Sequence, residues 1–128
     1  MERFLGKYSE ALYALLRLIA GFLFTCHGAQ KLFGALGGEK VSDALMQVAG
    51  GIEFFGGILI AVGLFAGWAA FIASGMMAVA YFKAHAPGGF WPIQNHGELA
   101  VLYCFVFLYI ASRGSGAFSL ERAFRKGR

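Results

Sequence analysis

The chain has 128 residues, of which 59% are hydrophobic and 14% charged, with a net charge of +4. Ordinary soluble domains carry about a quarter of their residues as charges, and a soluble domain of this size buries only about two thirds of what its unfolded chain exposes. This composition excludes a small water-soluble globule and makes lipid the expected solvent.

The length allows one domain over residues 1–128, with no low-complexity linker to divide it. The basic residues cluster at the chain ends and do not interleave with aromatics on a polar face, which excludes nucleic acid as a partner. Two cysteines, Cys26 and Cys104, make neither a disulfide framework nor a zinc-ligand pattern.

Four apolar segments are predicted as membrane helices, each near the roughly 20 residues that cross a hydrocarbon core. The first covers residues 11–33 and is not a cleavable signal peptide, because Arg17 interrupts it and no small-x-small cleavage site follows. It is expected to remain in the protein. "GALGGEKVSDALMQ", residues 34–47, reads as a polar loop in which Ser42 caps a short surface helix.

The second and third segments, residues 49–65 and 68–84, are nearly fused through "GLFAGW". They are expected to form a tight hairpin whose turn uses Gly63 and Gly67. Residues 83–98, "KAHAPGGFWPIQNHGE", hold both prolines of the chain and cannot be helical throughout. The fourth segment covers residues 97–112, with Asn95 as its N-cap and Glu98 at the third helical position, a variant of the capping box.

Lysine and arginine counts set the orientation. Arg3, Lys7, Arg113, Arg122, Arg125, Lys126 and Arg128 lie on the side of the termini, and Lys31, Lys40 and Lys83 on the side of the two long connections. The excess places both termini in the cytoplasm. The fold class expected is an all-α integral membrane four-helix bundle.

This topology gathers polar residues from distant parts of the chain into the outer leaflet. His27, Gln30 and Lys31 lie near the outer end of the first helix and share one broad side of it. Glu53 lies about one turn inside the second helix, on a side with Ala49, Gly56 and Gly57, where small residues permit close helix approach. Lys83 and His85 end the third helix, and His96 and Glu98 begin the fourth. Cys26 falls on another side of its helix.

Ionisable groups at membrane depth are functional candidates by default. Glu53 and Glu98 are the candidate catalytic, proton-handling carboxylates; His27, Gln30, Lys31, His85 and His96 are the candidate ligand-binding groups. Histidines with carboxylates suit a borderline metal, but no two stand at the helical spacing of a metal motif. The cofactor stays open: the same residues would equally serve a quinone or a small polar substrate, and with a quinone the carboxyl and imidazole groups would pass protons as its carbonyl is reduced. Arg17 is read as structural, snorkelling or paired with Glu10 or Glu121.

The ordered set "LRLIAGFLFTCHGAQKLFG", "GGIEFFGGILIAVGLF", "AHAPGGFW" with "HGELAVLY", and "GSGAFSLER" resembles the DoxX family of small four-helix membrane proteins over nearly the whole chain. The resemblance implies a multi-pass protein of the bacterial inner membrane. It also implies association with quinone-linked oxidoreductase systems, in which such proteins serve as membrane subunits or as partners of redox proteins. Similar proteins in the wider clan act as membrane chaperones or cargo receptors, so the alternative function is a non-catalytic assembly protein or scaffold. Partners are thus the lipid bilayer, a membrane or redox protein, and a second copy, which the glycine-rich second helix suits.

Overall fold

Backbone polar groups have no water to bond in hydrocarbon, so a spanning chain satisfies them within helices or closed barrels. The computed structural model describes residues 1–126 and is helical throughout its regular parts, with no strand among the described residues. Arg128, one of the basic residues counted above, lies outside the described residues. The helices are α1 (Glu2–Leu5), α2 (Ser9–Phe33), α3 (Ala44–Gly51), α4 (Gly57–Val62), α5 (Ala66–Ala80), α6 (Pro92–Asn95), α7 (Glu98–Arg113) and α8 (Leu120–Lys126).

The apolar segments are largely helical, although residues 63–65 of the second form a turn and Gly97 of the fourth precedes its helix, and α1, α6 and α8 are short additions outside them. By length and composition two stretches are apolar enough to cross a membrane, Glu2–Phe33 and Ala44–Val62. α5 and α7, at 15 and 16 residues, are shorter by themselves.

α2 stops at Gly34, whose left-handed conformation lets its N–H bond the Gln30 carbonyl at 3.0 Å. The next helix corrects the expected short surface helix. Asp43, not Ser42, is the N-cap, its carboxylate accepting from the Leu45 N–H at 3.0 Å. α3 then runs through a π-helical turn, Ile52–Gly56, directly into α4. The glycines at 50 and 51 do not break this helix, because its packing against α2 holds it.

That packing is backbone on backbone. A Cβ at Gly21 would stand 2.5 Å from the Gly57 carbonyl oxygen, and one at Gly28 would strike the Phe54 backbone. Gly50, Gly57 and Ala61 make the close approach, whereas Gly56 has nothing near it. Of the side expected from Ala49, Gly56 and Gly57, Gly57 therefore makes the contact and Gly56 does not.

The α4–α5 turn also differs from expectation. Gly63 takes the left-handed conformation at φ 76°, but Gly67 lies inside α5. Phe65 supplies the second positive φ, 51°, and its N–H is held by the Glu121 carboxylate at 3.1 Å. The chain after α7 thus caps the start of α5, with the Ser115 hydroxyl accepting from the Ala66 N–H at 3.3 Å.

Arg17 organises this end of the molecule. Only 3% exposed, it pairs with neither Glu10 nor Glu121 and donates instead to the carbonyls of Ile60 at 2.8 Å, Ser115 at 2.6 Å, Phe118 at 2.9 Å and Ala61 at 3.5 Å. Ile60 and Ala61 end α4, where unpaired carbonyls and the helix dipole already present negative potential. The charge is thus held by oriented carbonyls rather than by a carboxylate. Glu10 pairs with Arg113, and Glu121 with Arg125.

The core between the helices is aromatic and aliphatic. Phe24, Ile60, Phe107 and Ile110 are fully buried. The Phe24 and Phe107 rings lie 4.7 Å apart, and Tyr103 stacks on Phe107 at 5.2 Å. On α5, Ala66, Ala70 and Ala73 are fully buried and let α7 lie close. The α4–α5 turn and residues 114–121 are at one end of the molecule; residues 34–43 and 81–97 are at the other.

Candidate functional site

At this second end the helices separate around a cleft of about 970 Å³. α2, α3, α5 and α7 all contribute to it. Its walls are mostly apolar, with Phe24, Met46, Ile52, Met76 and Met77 among them. Into these walls are set His27 and Lys31 from α2, Glu53 from the first π-helical turn, and Lys83 and His85 from a second one, Tyr81–His85. His96, Tyr103 and Asp43 also line it.

Both π-helical turns therefore carry ionisable groups into the same space. A π turn inserts one extra residue into a helix, rotating the side chains on either side of it relative to one another, and such turns gather at functional sites. Here the insertion turns Glu53 inward while the neighbouring Phe55 stays exposed.

Glu53 is 2% exposed, and Lys31 Nζ meets its Oε1 at 2.5 Å. The other carboxylate oxygen, Oε2, is shielded from solvent and has no hydrogen-bond partner among the described residues. A buried polar atom left unpaired costs about 1–3 kcal/mol, more when charged, so each one asks for an explanation. In the same cleft, the His27 ring stands edge-on to Tyr103 with 6.1 Å between centroids.

The connection between α5 and α7 is tied around Asn95, which sequence alone read as a cap. Asn95 is buried; its amide donates to the Gly89 carbonyl at 2.9 Å and to the Tyr81 hydroxyl at 3.1 Å, and its Oδ1 accepts from the Gly97 N–H at 2.8 Å. His85 Nδ1 lies 3.3 Å from the Asn95 carbonyl oxygen. His96 adopts φ 62°, which turns the chain sharply before α7.

Five of the seven expected site residues thus share the cleft: Glu53, His27, Lys31, His85 and His96. Gln30 does not. Its amide donates to the Leu36 carbonyl at 3.0 Å and its stem packs under Gly38, so it holds the 34–40 loop. Glu98 is exposed and absent from the cleft wall. It is the first residue of α7 with Gly97 as N-cap, which also corrects the expected capping box with Asn95.

Tyr103, Met76 and Met77 are lining residues that the sequence reading missed. Tyr103 belongs to the stripe Ala100, Tyr103, Phe107, Ile110, the buried face of α7. That spacing was legible as a core face, but nothing in it distinguishes a core tyrosine from a cleft tyrosine. Cys104 lies on another side, its Sγ 3.5 Å from the Ser74 hydroxyl. No three His, Cys, Asp or Glu side chains converge as metal ligands among the described residues.

A family model for DoxX matches residues 12–86, which include α2 to the second π-helical turn and carry His27, Lys31, Glu53, Lys83 and His85. An uncharacterized protein of Haemophilus influenzae is 43% identical over 130 aligned positions, covering 95% of this chain and 97% of its own length. No solved structure matches the chain. Family and apolar helices together mark a membrane protein, and the chain belongs to the DoxX family.

Proposed function

We propose that the cleft binds a quinone or a similar lipid-soluble small molecule, and that the protein serves as a redox-associated membrane subunit. One observation carries the reading: a buried carboxylate, neutralised on one oxygen by Lys31 and unpartnered on the other, stands in the wall of an otherwise apolar cleft. Small-molecule sites commonly have this form, with apolar walls and a few converging polar groups. In this reading the apolar walls hold the body of the ligand. His27, His85 and His96 hydrogen-bond its head, Glu53 handles the proton, and Lys31 balances charge.

The same reading has the chain cross the bilayer four times, with α2, the α3–α4 helix, α5 extended by its π-helical turn, and α7. The distribution of lysine and arginine supports cytoplasmic termini in an inner membrane and an outer-leaflet cleft. The α5 segment with its π turn, residues 66–85, approaches the roughly 20 residues of a crossing.

Extraction of lipid-soluble molecules from the purified protein, followed by mass spectrometry, tests the proposal. Quinone in near-equimolar amount, lost in Glu53→Gln, is the expected result. Protein that carries no quinone but holds a stoichiometric protein partner would favour the assembly or scaffold role instead.

A further inference from the structure

The cleft opens sideways. Leu45 and Val48 of α3, and Ile72 and Val79 of α5, line it and are also exposed on the helix surfaces. The side between α3 and α5 is therefore apolar, while the exposed Asp43 and Lys83 line the cleft elsewhere, and a molecule entering between these helices comes from lipid rather than from water. Inside, the protein offers an acceptor that it does not use itself. Lys31 is committed to Glu53 Oε1, and Oε2 has no partner among the described residues. Tyr103, 6% exposed and in the same wall, carries a hydroxyl that bonds no group among the described residues.

An unpaired carboxylate oxygen asks for a donor, and a phenolic hydroxyl can give or accept. We propose that the cleft selects an amphiphile whose head is a hydroxyl, a phenol or alcohol on an apolar body. Its O–H donates to Glu53 Oε2, and its oxygen accepts from the Tyr103 hydroxyl. This inference rests on the small-molecule reading above and narrows it. A head with only carbonyl or ether oxygens offers Oε2 no donor, so of a quinone couple the cleft holds the reduced, hydroxyl-bearing form more tightly than the oxidised one.

The pair 4-nonylphenol and 4-nonylanisole tests the inference, because the two share a body and differ by methylation of the hydroxyl. Their binding to the full chain in lipid nanodiscs is measured by equilibrium dialysis, with empty nanodiscs as the reference for partitioning. The phenol is expected to bind roughly 10- to 100-fold more tightly, the range of one hydrogen bond to a charged acceptor. Glu53→Gln, which removes the charged acceptor, is expected to erase that preference. Tyr103→Phe, which keeps the ring in the core, is expected to reduce it, and it carries the test if Glu53→Gln does not fold. Equal binding of both probes by the wild-type chain would overturn the hydroxyl selection and leave the small-molecule reading standing. Binding of neither would overturn both, and a preference unchanged in both variants would overturn the assignment to Glu53 and Tyr103.

Discussion

Lys31 and Glu53, 22 positions apart in sequence, meet at 2.5 Å between α2 and the π-helical turn that joins α3 to α4. The lysine is one quarter exposed and the glutamate almost wholly buried. The pair is therefore asymmetric: its cationic end reaches the mouth of the cleft and its anionic end is fixed in the wall.

Breaking such a pair from one side costs more than removing it whole, because the surviving charge remains buried. Lys31→Met is expected to destabilise the protein by about 3–5 kcal/mol, and the double variant Lys31→Met with Glu53→Gln to recover most of that loss. Denaturation of the three proteins in one detergent checks this. Additive losses in the double variant would show that the two residues do not act as a pair.

Arg17 reaches carbonyls from α4 and from the segment after α7. Lysine keeps the charge but lacks the planar fork that serves several acceptors at once. Arg17→Lys is therefore expected to cost at least about 3 kcal/mol, since hydrogen bonds from charged donors contribute about 1.5–3 kcal/mol each. It should also expose residues 115–121 to protease, because Arg17 ties Ser115 and Phe118 to the helices. Limited proteolysis with mass mapping measures that exposure. A variant as protease-resistant in this segment as the wild type would contradict the account of the clasp.

The orientation gives a separate prediction. A cysteine introduced at Glu39, in the exposed loop between α2 and α3, should react in whole cells with a membrane-impermeant maleimide. One introduced at Arg122, in α8, should react only after the inner membrane is opened. Both are made in a Cys26→Ala, Cys104→Ala background. The reverse pattern would invert the topology, and labelling of both sites in intact cells would refute an even number of crossings.

The helices were legible in the sequence because lipid demands long apolar runs, and those runs are written contiguously. The cleft was legible in part, because helix direction alone brings His27, Glu53 and His85 to one end. What the sequence did not show depends on single-residue rotations. The π-helical turns at Ile52–Gly56 and Tyr81–His85 have no composition signal, yet they set which way Glu53 and Lys83 point. Gln30 was misassigned because its side chain bonds a loop carbonyl six residues later, a local choice that face arithmetic does not see. Arg17 was expected to snorkel or to pair with a carboxylate, and the competing solution, a helix C-terminus that offers several carbonyls, emerges only when α4 is packed beside it.

Photolabelling with an azido-substituted quinone tests the central claim most directly. In membranes containing the wild-type protein, with the probe held in its reduced, hydroxyl-bearing form, label should map to cleft residues in α3, the two π-helical turns and the start of α7, be competed by unlabelled quinol, and fall at least about tenfold in Glu53→Gln, which loses one charged hydrogen bond from the probe hydroxyl. Glu98→Gln, altered outside the cleft wall, should label as the wild type does. Label confined to the lipid-facing surface, or equal in Glu53→Gln and the wild type, would contradict the assignment of this cleft as the binding site.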